Sequence, residues 1–184
     1  MISYCEAKSY DIIQDDLILI DYMSPSMCEE MIRLAEEHGG WDSLSYDSTP
    51  GQEIRLKRLN LWDAMVDHWN EVVIPIIHHH WYPMKMYGMR DAFVLKYSMD
   101  TQTSMDIHTD ASLVTGSVKL NDDYEGAKLV FPRQKFANDP IPVGKCLLFP
   151  GSVTHCHACT ELESGVKYSL TMWSKRTPKD SVKE

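Results

Sequence analysis

Long hydrophobic runs are missing from this chain. No stretch reaches 18 consecutive apolar residues, so nothing in it reads as a membrane span. Positive charge is scarce as well. Lys and Arg number 18 against 27 Asp and Glu, and the formal net charge is −9. That balance argues against a nucleic-acid backbone or an anionic membrane as the main partner. The opening residues carry Glu6, Lys8, Asp11, Asp15 and Asp16, without the basic start and apolar core of a signal peptide. The five cysteines, Cys5, Cys28, Cys146, Cys156 and Cys159, are odd in number and irregular in spacing, unlike a disulfide framework. With no leader, a reducing cytoplasmic setting is the expectation. Repeats, low-complexity tracts and flexible linkers are absent too. What remains is 184 residues, 43% hydrophobic and 24% charged, read as one domain over 1–184 with enough apolar material for a core.

Two characters follow each other along the chain. Ile12 to Tyr22 is strand-like, with Leu17 to Ile20 as its apolar run. Ser24-Pro25-Ser26 reads as a helix start with either serine as N-cap and Glu29 and Glu30 in the first turn. Met27, Met31, Leu34 and Ala35 recur at helical spacing, and Gly39-Gly40 ends the helix. Trp41 to Gln52 reads as loop. Asn60 is expected to cap a longer helix whose broad face holds Leu61, Met65, Val66, Trp69, Val72, Val73 and Ile76, with Pro75 kinking or ending it. Met86 to Arg90 is a connector. From Phe93 onward, five short strand-like runs alternate with Gly, Pro, Asn and Asp: 93–97, 113–120, 127–131, 145–149 and 166–173. Such spacing suggests a β sandwich or barrel. The expected organisation is a helical support region, about 24–82, before a β core, about 93–175.

One constellation carries chemistry. His108-Thr109-Asp110 sets an imidazole and a carboxylate two residues apart, and on an extended chain both face the same way. His155-Cys156-His157 supplies candidates for a third ligand, delivered by a buried strand and a sharp turn through Gly144 to Gly151. Two His and one carboxylate on a triangular face leave open positions, the arrangement of non-haem Fe(II) oxygenases. Lys167 sits ten residues beyond His157, inside an apolar strand, where a lysine is unusual unless its charge is paired.

These residues resemble the prolyl 4-hydroxylase and lysyl hydroxylase branch of the 2-oxoglutarate/Fe(II) oxygenases. In that branch a His-x-Asp, a distant His, and a Lys or Arg ten residues after it occur in order. Phe93 to Tyr97, His108 to Ser112, Leu120-Asn121, Tyr124-Glu125-Gly126 and Phe131 are similar to the lysyl hydroxylase catalytic domain. Ile18 to Tyr22, Ser24-Pro25 and Cys28-Glu29-Glu30 are similar to the start of prolyl hydroxylase-like domains. The resemblance implies a mainly β fold with flanking α: a double-stranded β-helix (a jelly roll, cupin-like) preceded by two helices. It implies iron on His108, Asp110 and His157, which would be the catalytic centre. It also implies 2-oxoglutarate held by Lys167 and Tyr97, O2 as oxidant, and ascorbate as a supporting reductant. The implied activity is hydroxylation of a peptidyl proline or lysine, or of a small molecule, with release of succinate and CO2. Lys167 in place of the Arg of lysyl hydroxylases agrees with the prolyl branch instead.

Competing readings attach to several residues. The step to Lys167 selects His157 over His155, which becomes a supporting or surface histidine. Asp106 shares a face with His108 and could replace Asp110. Cys156 and Cys159 lack the further ligands of a zinc site. His78-His79-His80 diverge around a helix and read as a polar helix end. Trp62, Trp69 and Trp81 read as packing residues, Trp173 as a packing residue or one that lines the barrel, and Arg55, Lys57 and Arg58 as a solvated face or the border of a substrate groove. A catalytically silent module binding a protein or glycan, and a zinc hydrolase, are the alternatives to an oxygenase. Oligomeric state has no signature.

Overall fold

The computed structural model describes residues 10–43, 51–81 and 87–180. Cys5, the opening segment up to residue 9, most of the Trp41–Gln52 loop and Met86 lie outside these. The expected single opening strand is a hairpin, β1 (Tyr10–Gln14) and β2 (Leu17–Asp21). Asp15 and Asp16 break it, and Asp16 takes φ 56, a left-handed turn conformation that Asp tolerates. Helix α1 (Pro25–His38) starts at Ser24, whose Oγ accepts from the Met27 N–H at 3.3 Å, and ends at Gly39 with φ 59. Its first turn holds no acid; Glu29 and Glu30 fall one turn later than expected. Two short strands follow, β3 (Asp42–Ser43) and β4 (Gln52–Arg55), where only loop was expected. Helix α2 (Trp62–His80) is capped at Leu61, not Asn60. Asn60 adopts φ 55 in the preceding turn, one residue before the cap position. Pro75 does not end the helix, which continues to His80.

The remaining strands are β5 (Met89–Ser98), β6 (Met105–His108), β7 (Val114–Lys119), β8 (Tyr124–Gly126), β9 (Leu129–Phe131), β10 (Phe136–Ala137), β11 (Lys145–Pro150), β12 (His157–Cys159) and β13 (Leu162–Ser174). All pairings are antiparallel. The larger sheet runs β1-β2-β11-β7-β13-β5-β4-β3, with β8 joining β13 off that path, and the smaller runs β10-β9-β12-β6. Leave aside β8 and count from β5 as the first strand. The sheets then have central orders 6-3-8-1 and 5-4-7-2, so the chain crosses between two facing sheets as a jelly roll does. The mainly β fold with a double-stranded β-helix core is therefore present.

Alternation along the strands separates two interiors. On β5, Ala92 and Val94 turn outward and bury against α2 through Trp69, Val73 and Ile76. Phe93, Leu95 and Tyr97 turn inward, between the sheets. Both faces are apolar, so β5 reads as a continuous hydrophobic run. Gly116 lets α2 approach: a Cβ there would lie 3.0–3.1 Å from Met172, Cys146 and Trp69. The inner faces leave a cavity of about 400 Å³ open at one end.

Candidate metal and co-substrate site

The short β6–β12 pairing builds the site. It sets His157 directly opposite His108, with ring centroids 4.4 Å apart. Asp110 lies just past the end of β6, where the chain leaves the sheet. Its backbone N–H donates to Gly151 O at 3.0 Å, which ties it to the turn after β11. Asp110 Oδ1 is 3.7 Å from His108 Nε2, and Oδ2 is 3.6 Å from His157 Nε2. One ligand atom from each residue lies within 4.8 Å of the other two. This is the one such group of His, Cys, Asp or Glu among the described residues.

Neighbouring groups fix which atoms face inward. His108 Nδ1 pairs with Asp106 O at 2.8 Å and His157 Nδ1 with His155 O at 3.0 Å. A carbonyl only accepts, so both Nδ1 atoms carry the proton and both Nε2 lone pairs point at the shared space. Thr115 Oγ1 donates to Asp110 Oδ2 at 2.6 Å. His157 packs against Phe149 and Phe131 with centroids 4.9 and 5.4 Å away. Burial pushes its pKa down, against the pull of Asp110, which keeps the ring neutral as a ligand must be.

His155 is brought elsewhere. It is buried, with Nε2 on Asp15 O at 3.0 Å and Nδ1 on Thr154 Oγ1 at 3.0 Å, so it pins the β1–β2 turn. Asp106 is exposed and offers only its carbonyl. Cys146 belongs to the helix-side core and Cys159 to the inner one, so the cysteines do not converge. His79 and His80 stack edge-on with Tyr10 at the end of α2. Trp69 is core, whereas Trp173 and Arg55 line the cavity.

Deeper in the cavity stands Lys167, only 4% exposed. It lies opposite Tyr97 in the β5–β13 register, with Nζ 4.9 Å from the Tyr97 ring centroid. Nζ donates to Ala127 O at 2.7 Å and contacts Cys159 Sγ at 3.4 Å; among the described residues no carboxylate faces it. Burial lowers its pKa and raises that of the Tyr97 phenol. The Tyr97 hydroxyl makes a long contact, 3.9 Å, to Met105 Sδ and also meets the Cys159 thiol. Sequence reasoning did not single out Thr115 or the cavity-lining residues Glu53 and Asp91. Asp91 is a buried carboxylate whose pKa is raised by burial and moderated by Arg55.

The donor set suits Fe(II): two neutral imidazoles and a carboxylate, one face occupied and the rest open to the cavity. A buried ammonium with no acid beside it suits an anion at the cavity's far end.

No family model matches the chain. Curated relatives do. It is 26% identical over 167 residues to human procollagen-lysine,2-oxoglutarate 5-dioxygenase 2, covering 83% of this chain and 22% of that protein. It is 29% identical over 169 residues to the rat multifunctional procollagen lysine hydroxylase and glycosyltransferase LH3, covering 84% and 23%. A procollagen lysyl hydroxylase and glycosyltransferase of Acanthamoeba polyphaga mimivirus matches at 27% over 177 residues, 88% and 19%. The chain thus spans about a fifth of the length of these relatives. Among solved structures, the viral collagen prolyl hydroxylase of Paramecium Bursaria Chlorella virus-1, in its 2-oxoglutarate complex, superposes with TM-score 0.67 at 19% identity, covering 87% of this chain and 96% of that one. A Pseudomonas putida prolyl-4-hydroxylase gives 0.66 at 15%, covering 88% and 93%. The fold is theirs, and the similarities fall in the superfamily and branch that the motifs resemble.

Proposed function

We propose that the chain is a non-haem Fe(II) and 2-oxoglutarate-dependent oxygenase domain that hydroxylates a C–H bond of a peptidyl lysine or proline. The observation that carries this reading is the meeting of His108, Asp110 and His157 within 4.8 Å of one another, on the wall of the cavity that Lys167 closes. The names of the relatives and of the structural neighbours support the peptide substrate.

In this reading His108 Nε2, Asp110 and His157 Nε2 hold the iron, and Lys167 and Tyr97 receive the distal carboxylate of 2-oxoglutarate. The bound iron, with 2-oxoglutarate and O2, supplies oxidation of a substrate C–H bond to an alcohol with release of succinate and CO2. The protein's part is placement. Asp106 O and His155 O hold the imidazoles in one tautomer. Thr115 holds the carboxylate's rotation. Lys167 offers a charge-assisted hydrogen bond where water is excluded, and Phe131 and Phe149 keep water from behind His157. At the mouth, Glu53 and Asp91 share the Arg55 guanidinium, 3.6 and 3.4 Å from its Nε.

The test incubates the protein with Fe(II), ascorbate, 2-oxoglutarate and lysine- or proline-bearing collagen-like peptides. Succinate and a peptide heavier by one oxygen are expected. Asp110→Ala abolishes both while leaving the circular dichroism spectrum unchanged. Succinate release equal to wild type in that variant would remove the ligand assignment. A wild-type protein that binds iron and 2-oxoglutarate without turnover would favour a silent binding module.

A further inference from the structure

Two lysines, not one, reach the cavity lining. Lys119 and Lys167 both contribute to it. β7 pairs with β13 so that Lys119 lies opposite Ser169, which makes Lys167 its diagonal neighbour. Diagonal neighbours stand roughly 7–8 Å apart at the backbone, within reach of long side chains. Alternation fixes the face. Gly116 and Val118 look toward the helices, so Thr115, Ser117 and Lys119 look inward. Among the described residues the Lys119 ammonium has neither a carboxylate nor a hydrogen-bond partner; its recorded neighbour is the Tyr124 ring, 5.9 Å away. The Ser117, Ser169 and Thr171 hydroxyls line the same wall, also without hydrogen-bond partners among the described residues. Two lysines and three hydroxyls without partners among the described residues therefore line one cavity. Like charges so arranged repel, and Lys119 adds to the downward pull on the Lys167 pKa. An anion between them relieves both.

We propose that Lys119 is a second anion-binding residue of the cavity, sharing with Lys167 the far carboxylate of a dicarboxylate ligand while Ser169 donates from between them. The proposal rests on the 2-oxoglutarate reading above and adds to it a residue outside the matched motif. Its consequence is selectivity. A ligand with the same oxo-acid head but no second carboxylate gains nothing from Lys119.

Calorimetric titration of the Mn(II)-loaded protein tests this without turnover, using 2-oxoglutarate and, separately, 2-oxobutyrate. Lys119→Gln is expected to weaken 2-oxoglutarate binding by about tenfold or more and to leave 2-oxobutyrate unchanged. Lys119→Arg keeps most of the affinity. The double variant with Lys167→Gln loses less than the product of the single losses, because both groups serve one carboxylate. Lys119→Met, which keeps the apolar stem, carries the same expectation should the glutamine variant not fold. Unchanged 2-oxoglutarate affinity in Lys119→Gln, beside a loss in Lys167→Gln, overturns this proposal and leaves the co-substrate reading standing. Equal losses for both ligands reduce Lys119 to a structural role and overturn it as well. A wild-type protein that does not bind 2-oxoglutarate overturns both.

Discussion

Asp110 is gripped by two groups that are not ligands themselves: Thr115 Oγ1 at its Oδ2 and Gly151 O at its backbone N–H. Supports of this kind typically govern 10- to 100-fold in metal affinity. Thr115→Val, which keeps the shape and removes the donor, is therefore expected to weaken Fe(II) binding by about tenfold or more with little change in fold, as read by metal titration. Lys167 makes a second residue-scale case. Burial depresses its pKa in the free protein, and a bound carboxylate would raise it again. Between those two values binding takes up a proton, so 2-oxoglutarate affinity falls as pH rises through that window. Lys167→Ala removes the pH dependence together with most of the affinity. Stability follows the same proton: the folded protein binds it more weakly than the unfolded chain, whose value is near 10.4, so Lys167 costs stability as pH falls below that value. Titrations across alkaline pH, with wild type and variant side by side, check both statements. A wild-type affinity that is flat in pH would contradict the first.

At the scale of elements, the close approach of α2 to the large sheet depends on Gly116. Adding side-chain bulk there drives methyl groups into Trp69, Met172 and Cys146. Overpacking of this kind costs roughly 1–3 kcal/mol. Gly116→Val is expected to lower the melting temperature while metal affinity in the folded protein stays near wild type, since Gly116 faces away from the cavity. Elements were unevenly legible in the sequence. Four of the five strand runs are visible because β5, β7, β11 and β13 are apolar on both faces or sharply alternating; the fifth, 127–131, holds the short β9. Strands β6, β10 and β12 were not, because two to four residues of mixed polarity carry no period. The hairpin turn at Asp15-Asp16 was hidden by the apolar residues flanking it. The helix continues past Pro75 because tertiary burial of Val72, Val73, Ile76 and Ile77 outweighs one lost helical hydrogen bond.

For the whole molecule, the grouping of His108, Asp110 and His157 is legible because its spacing belongs to a motif. Lys119, Asp91 and Glu53 are not, because they come together only through strand order. No helix among the described residues is long and apolar enough to cross a membrane. The site also couples to global stability. Ligands that bind only the folded state stabilise it by mass action, by about 2.7 kcal/mol at a hundredfold excess over Kd. Fe(II) with 2-oxoglutarate is expected to raise the melting temperature by several degrees, and chelation to reverse it; differential scanning fluorimetry under anaerobic conditions reads this directly. An unchanged melting point at saturating ligand would contradict the coupling.

Strand β13 is the last of the fold's strands in the chain, yet it lies between β7 and β5 in the middle of the large sheet. On the ribosome, every other strand emerges before the one that joins them. Until Leu162–Ser174 are released, β5 and β7 are left with unpaired edges, which invite pairing with other chains. A nascent polypeptide of this design is exposed to aggregation until β13 is made, and Lys167 arrives with that same stretch.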